Sequence, residues 1–558
     1  MKYKSNQFSS FSGIARAFGK YFESIFVLHS NPVIPDSCSR DVPLFSLPYV
    51  SPDDVKAVIL NLNPHSARGY DNVPAVFLIR CADQLCFPLA EIFNLSVSLG
   101  EYPCLLKFNN IVPIYKFKGD KSCVESYRPI SIQPVVSKIF ERIVNNSLRK
   151  HLKAFLCDEQ HGFVPQKSTL TNLSCYKDFI TTSLDQGYQV HAIYTDFNKA
   201  FDSVCHEHLL YKMSTQFGIF GNDLKWFQSY LSNRFQRVLV HGEESEWAPI
   251  ASGVPQGSIL GPSLFLMYVN DIPESLQFCE TLLFADDLKL FKRITCVQDC
   301  HVLQSALISL YHWCCKWKMS LNFHKCFYLN FSLNALATLI LIMIFMVLYC
   351  NPSVTSNISE FTFRKIMCFS MHIHYVVKKA FRMLGFVRRT LKPFKDVTLL
   401  KIMYNAHVRS HLDYCSSIWS PQVKYLKDKI EKVQKVFIKE LCFIEKVKFD
   451  SRLYLELCSQ FGLVTLENRR TVSDLLYFHK ILHGRVNCAY LVSNIWFHLP
   501  LRRTRHTNVL TCDIQRGLSI RKADFIPRSI SIANSIPEID FFDCDHSKMK
   551  RIIKKLYC

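Results

Sequence analysis

The run Thr281-Leu-Leu-Phe-Ala-Asp-Asp-Leu-Lys-Leu-Phe291 places two adjacent carboxylates, Asp286 and Asp287, inside an apolar stretch that reads as a strand, a tight turn and a second strand. Charged groups flanked by Leu, Phe and Ala lose much of their hydration, so a cation is expected beside them, and a divalent metal is the usual one. A solvated hairpin turn would use the same residue types, because Asp favours turns. Upstream, Val190 to Asp196 reads as a buried strand ending in a third carboxylate, and Phe197 to Val204 as the opening of a helix. Three carboxylates at the ends of apolar strands can converge on one sheet edge. There, hard oxygen ligands suit two magnesium ions bridging the phosphates of an incoming nucleotide. Between these elements lies Ser252-Gly-Val-Pro-Gln-Gly-Ser-Ile-Leu-Gly-Pro262, a loop that can approach a base or sugar closely before an apolar helix from Ser263 to Val269.

The strings YTDFNKAFDSV (194–204), SGVPQGSILGPSLF (252–265) and LLFADDLKLF (282–291), in that order, resemble the three palm motifs of the reverse transcriptase of a non-LTR retrotransposon of the LINE-type, jockey-like group. Upstream, SARGYDNVP (66–74), VPIYKFKGD (112–120), SYRPISI (126–132) and DEQHGFVPQKSTLTNL (158–173) are similar to the fingers of those enzymes. Downstream, KMSLNFHKC (318–326), SHLDYCSSIW (410–419) and GLVTLENRR (462–470) are similar to their later segments.

The resemblance implies an α+β fold of the right-hand polymerase type, with fingers, an antiparallel-sheet palm, a helical thumb and a helical C-terminal region. It implies an RNA-directed DNA polymerase that transfers nucleotides from dNTPs to a primer 3'-hydroxyl. Its partners would be an RNA template, a DNA primer and dNTPs. Its cofactor would be two Mg2+ ions, with Mn2+ as a substitute. Carried over residue by residue, Asp196 and Asp286 are the metal ligands and Asp287 the carboxylate that completes the catalytic site. Phe201 is the ring that would clash with a 2'-hydroxyl, and Gln256 and Gly257 meet the nucleotide and template. Lys116 and Arg128 meet the triphosphate, with Lys118 an equally placed alternative to Lys116. Asp202 is expected to brace the following helix rather than to bind metal. A catalytically inactive remnant that only binds nucleic acid would keep the same motifs. An intron maturase shares the palm, but residues 370–558 do not resemble the basic helical domain it would add.

Composition agrees with a polyanion-binding enzyme. Lys and Arg number 67 against 46 Asp and Glu, a formal net charge of +21, which favours nucleic acid through counterion release and equally an anionic membrane. The 558 residues, 49% hydrophobic, can bury cores in several subdomains. The 23 cysteines include no Cys-x2-Cys pair, and the first residues carry no secretory signal. The thiols are therefore expected to be reduced and mostly buried, in an intracellular protein of the nucleus or cytoplasm.

The expected domains are 1–50, an aromatic helix (Phe18, Tyr21, Phe22, Phe26) and a Pro-rich linker from Pro32 to Pro48; 51–330, fingers to about residue 190 and palm beyond; 331–366, an atypical apolar segment; and 367–558, thumb-like and helical. The first 50 residues offer no His, Asp and Glu set for DNA nicking, so synthesis without target opening is expected. In the last region Leu426, Ile430, Val433, Phe437 and Leu441 recur at helical spacing beside a basic face, and Arg502, Arg503 and Arg505 are candidate phosphate contacts. From Cys326 to Ser359 no residue is charged. Ala335 to Cys350, extended by Phe327 to Leu333, reads on hydropathy as a membrane span. Where the family has a polar hairpin, the same interval also reads as a segment altered by compensating frame shifts, and this second reading disfavours a membrane.

Overall fold

The computed structural model describes residues 1–4, 6–26, 42–333, 361–362, 369–497, 509–536, 539–542 and 545–557. Helices and two main sheets are interleaved along the chain, an α+β arrangement. Helix α1 (Phe11–Glu23) precedes strands β1 (Phe108–Tyr115) and β2 (Tyr127–Ile132), then helices α2 (Val135–Leu152) and α3 (Thr169–Asp185). Next come β3 (Gln189–Thr195), β4 (Arg234–Val240), helix α4 (Gly261–Val269), the hairpin β5 (Glu280–Phe284) and β6 (Asp287–Ile294), helix α5 (Val297–Lys316) and β7 (Phe327–Phe331). The C-terminal part includes α6 (Ser370–Leu391), α7 (Lys424–Ile444), α8 (Leu466–Leu482), α9 (Phe525–Asn534) and α10 (His546–Tyr557).

Two sheets organise these elements. In one, β1 pairs antiparallel with β2 and parallel with β4, and α1 packs its aromatic face, Phe18, Tyr21 and Phe22, against β1 and β4 through Ile111 and Val238. The other has the order Phe361–Thr362, β7, β3, β6, β5. Its pairings are antiparallel apart from that of Phe361–Thr362 with β7. Strand β3 lies inside this sheet, between β7 and β6, and is buried along most of its length, its polar residues His191 and Thr195 included. The period of two sorts its side chains: Val190 and Ala192 join a core with Leu475, Phe478, Ile526 and Ile553 from the C-terminal part, whereas Ile193 joins the core of α2, α4 and α5 on the opposite face.

The contact with the C-terminal part also contains buried charge. On α3, Asp178 pairs with Arg521 at 2.5 Å and Lys177 with Asp524 at 2.9 Å. Two turns further, the Asp185 carboxylate accepts backbone N–H bonds from Gln515, Arg516 and Leu518. Buried charges persist only when paired and hydrogen-bonded, so this side of the sheet requires both chain segments to be present.

Several expectations change on folding. Phe197 to Val204 is not the start of a helix. It makes successive turns, held by Gly253 N–H to the Val204 carbonyl (2.7 Å) and Val254 N–H to that of Phe201 (2.8 Å), and the helix begins only at His206. Phe26 falls beyond the end of α1. Phe327–Phe331, taken with the apolar run on hydropathy, is strand β7 of the central sheet, with Phe327 stacked on Tyr194 at 4.6 Å. The rest of that run, from Asn334 to Glu360, lies outside the described residues, as do most of the Pro-rich linker and Arg502, Arg503 and Arg505. No helix among the described residues is long and apolar enough to cross a membrane. In α7, the apolar stripe from Leu426 to Leu441 is buried as its spacing requires.

One buried carboxylate ties α2 to the loop entering α4. Glu141, fully buried, accepts from Gln133 Nε2 (2.5 Å) and Tyr230 Oη (2.9 Å) on one oxygen, and from the Ile259 and Leu260 amides (2.8 and 3.2 Å) on the other. Truncation strands several donors, at ~1–3 kcal/mol for each left unsatisfied. Glu141→Ala is therefore expected to destabilise the chain by about 3–5 kcal/mol, read as a fall in the urea midpoint.

Candidate active site

The hairpin β5–β6 turns through Ala285 and Asp286, with Phe284 opposite Asp287. Across β6, Leu288 pairs with Thr195 of β3, so the next position along this antiparallel ladder brings Asp287 alongside Asp196. The three carboxylates thus leave one end of one strand pair and its turn. Burial, reinforced by the neighbouring carboxylates, pushes Asp286 and Asp287 above the usual carboxylate range. Hard oxygen donors gathered where ionisation is costly match what a divalent cation would neutralise.

The turn is held from outside by residues of the 158–173 segment, which the sequence resemblance placed among the fingers without any contact to the hairpin. Ala285 sits at φ +57°, a left-handed conformation that costs a non-glycine residue ~1–2 kcal/mol. The buried Gln160 side chain encloses it: Oε1 accepts from the Ala285 amide at 2.9 Å and the Gly162 amide at 2.8 Å, while Nε2 donates to the Ala285 carbonyl at 3.3 Å. His161 N–H bonds the Leu283 carbonyl at 2.9 Å, so residues 159–162 run along the free edge of β5. Gly162 lies so flat on the turn that a Cβ there would stand 2.2 Å from the Ala285 nitrogen. On the other side, Asn322 N–H bonds the Asp196 carbonyl (2.7 Å), and Lys325 Nζ lies 2.6 Å from Asp196 Oδ2.

The second group of expected residues converges from three segments. Lys116, at the end of β1, donates from Nζ to the Glu125 carbonyl at 2.8 Å. Burial and the nearby Arg128, Lys199 and Lys325 push its pKa down. Lys118 is exposed on the turn beyond. Lys199 and Lys325 are members of this cluster that the sequence reading overlooked, although both sit inside quoted motifs. Gly257, at φ +114°, would put a Cβ 2.7 Å from the Ser131 carbonyl, so glycine is required for the loop to rest on β2. Gln256 donates from Nε2 to Asp202 Oδ2 at 2.9 Å. Asp202 therefore holds Gln256 instead of bracing a helix, and burial pushes its pKa up to about 6. Phe201 stacks flat on Phe265 (4.4 Å, 12°) and meets Phe163 edge-on (6.2 Å, 81°).

Gln160 supports the turn by hydrogen bonds alone. Gln160→Ala strands two buried amide donors and is expected to cost about 2–4 kcal/mol in denaturant unfolding, with faster hydrogen exchange at the Ala285 amide.

Comparison with known proteins agrees with this geometry. Residues 116–388 match the family model described as reverse transcriptase (RNA-dependent DNA polymerase). The chain is 31% identical over 318 residues to the RNA-directed DNA polymerase from mobile element jockey of Drosophila melanogaster, a match covering 53% of this chain and 34% of that protein. It is 28% identical over 413 residues to the probable RNA-directed DNA polymerase from transposon BS of the same organism, covering 71% and 45%. A further relative is the Pol polyprotein of type-1 retrotransposable element R2 of Nasonia vitripennis, 28% identical over 219 residues, covering 36% and 20%. The chain therefore matches less than half the length of each of these relatives. Over residues 116–388, just under half of its length, the chain thus matches a reverse transcriptase domain, and it is similar to the RNA-directed DNA polymerases of non-LTR retrotransposons such as jockey.

Proposed function

We propose that this chain extends a DNA primer on an RNA template, with the Asp286 hairpin and the end of β3 as its catalytic centre. In this reading α4, β3 and the β5–β6 hairpin belong to the palm, the β1–β2 sheet to the fingers, and α6 and α7 to the thumb. The observation that carries it is the meeting of Asp196, Asp286 and Asp287 at one strand end. Lys116, Arg128, Lys199 and Lys325 supply positive charge nearby.

Asp196 and Asp286 would hold the metal, with Asp287 as the third carboxylate. Two Mg2+ ions would supply Lewis acidity at the α-phosphate and lower the pKa of the primer hydroxyl. The chain's own residues do the positioning. Arg128 presents a planar fork to phosphate oxygens and Lys116 a mobile charge, and their mutual repulsion falls when a triphosphate enters. Lys325, paired with Asp196, would exchange its carboxylate for phosphate as metal binds. Gln256, fixed by Asp202, turns its remaining amide oxygen towards the nucleotide and template, and Gly257 keeps the loop against β2. Phe201, backed by Phe265, forms a rigid floor under the sugar.

Two predictions separate this reading from that of a protein that only binds nucleic acid. Asp286 holds its proton more tightly folded than unfolded, so folded stability falls as pH rises through its folded pKa and the loss is complete above it. Asp286→Asn should therefore raise the melting temperature of metal-free protein at neutral pH while cutting Mg2+-dependent primer extension at least ~100-fold. Retained extension would remove Asp286 from the site. Phe201→Val opens space beside Phe163 and should raise ribonucleotide incorporation in a competition assay. Unchanged sugar discrimination would leave Phe201 as a core residue only.

A further inference from the structure

Beside the β5–β6 hairpin, three soft or borderline ligands meet. His161, Cys175 and Cys488 are all buried, and one ligand atom from each lies within 4.8 Å of the other two. They come from the segment that clamps the Ala285 turn, from α3, and from the stretch beyond α8, so neither sequence spacing nor any single element brings them together.

The hydrogen bonds around His161 settle its tautomer. Thr171 Oγ1 donates its one proton to the Ser168 carbonyl (2.7 Å) and accepts from the Ser168 amide (2.9 Å). His161 Nδ1, 2.7 Å from the same oxygen, must then be the donor. That leaves the Nε2 lone pair free, the arrangement found for metal-bound imidazoles whose other nitrogen is anchored by a hydrogen bond.

The two sulfurs are 3.1 Å apart. Tetrahedral zinc with Zn–S bonds of ~2.3 Å sets them ~3.8 Å apart, and a covalent disulfide needs ~2.05 Å. Zinc is thus reached by the smaller movement, a side-chain rotation that opens the pair. The ligand set is also open on one side: a cavity of about 190 Å³ adjoins His161, Cys175 and Cys488 and is bordered by Asp158, Glu159 and Glu280. Water or one of these carboxylates can complete four-coordination. Two thiolates and one Zn2+ sum to zero charge, so the metal adds no net positive charge beside them.

We propose that His161, Cys175 and Cys488 form a zinc site that fastens the segment after α8 to the support of the catalytic hairpin. Binding releases the two thiol protons to solvent and leaves the metal oxidation state unchanged. His161 is adjacent to Gln160, so the metal would stiffen the clamp on Ala285 without touching the reacting atoms. Zinc binding at these residues can be read without any polymerase activity.

The test uses the full chain, purified under reducing conditions, stripped with chelator and reloaded with ZnCl2 or CoCl2. The expected result is about one zinc per chain by mass spectrometry, with X-ray absorption reporting two sulfurs and one imidazole nitrogen. Cobalt should give a thiolate charge-transfer band. Cys488→Ser should abolish both stoichiometric zinc and the band. Thr171→Val, which removes only the oxygen that orients His161, should weaken zinc ~10–100-fold in competition with a chelating dye. If Cys488→Ser does not fold, metal content and absorption of the unaltered chain decide alone. A monodisperse unaltered chain that retains no zinc and shows no cobalt band overturns the proposal. So does recovery of a covalent Cys175–Cys488 peptide after digestion without reductant.

Discussion

Gathering three carboxylates at one end of a strand pair is the constraint that the rest of this fold serves. Asp196, Asp286 and Asp287 repel one another, and burial raises the cost of ionising Asp286 and Asp287. Left to itself, a hairpin turn would splay to let them part. Here the antiparallel register of β3 and β6 fixes the two flanking carboxylates, and Gln160 grips the turn from outside through both the amide and the carbonyl of Ala285. The left-handed backbone at Ala285 persists because its surroundings over-determine it.

A complementary arrangement holds the positive charges. Lys116, Arg128, Lys199 and Lys325 lie near enough to depress the Lys116 pKa, and Lys325 alone among them is paired with one of the three carboxylates. Two groups of opposite sign are thus kept close, with Lys325–Asp196 the one ion pair that joins them among the described residues. Each is held by backbone contacts from a different segment: the loop at 252–257 resting on β2, and the strap at 320–325 crossing the end of β3. A bound metal and triphosphate would relieve both repulsions at once.

The C-terminal part is bound to this centre from behind. Its helices bury Val190, Ala192 and Phe291 of the central sheet, and the Asp178–Arg521 and Lys177–Asp524 pairs make the contact specific in register. The back face of the sheet would otherwise expose a broad apolar surface, so the sheet and residues 472–553 stabilise each other.

Local pattern determined much of this protein. The strand endings at Asp196 and Asp287, the turn at Asp286, the apolar helix after Pro262 and the stripe of α7 all follow from side-chain periodicity and turn chemistry, which act over a few residues. The order of the motifs carried the resemblance, and through it the roles proposed for Lys116, Arg128, Phe201, Gln256 and Gly257. Tertiary structure decided whatever depends on contact between distant segments. Sequence alone could not show that Asp202 restrains Gln256, because hydrogen-bond partners 54 positions apart leave no local signature. The same holds for Gln160 on Ala285, for Lys325 on Asp196, and for β7 joining β3 where hydropathy suggested a continuous apolar run. Composition led to an expectation of mostly buried thiols, which holds for nine of the eighteen described cysteines, but it could not say which would meet. Cys175 and Cys488 are 313 positions apart, and only the packing of the C-terminal part against α3 brings them beside His161.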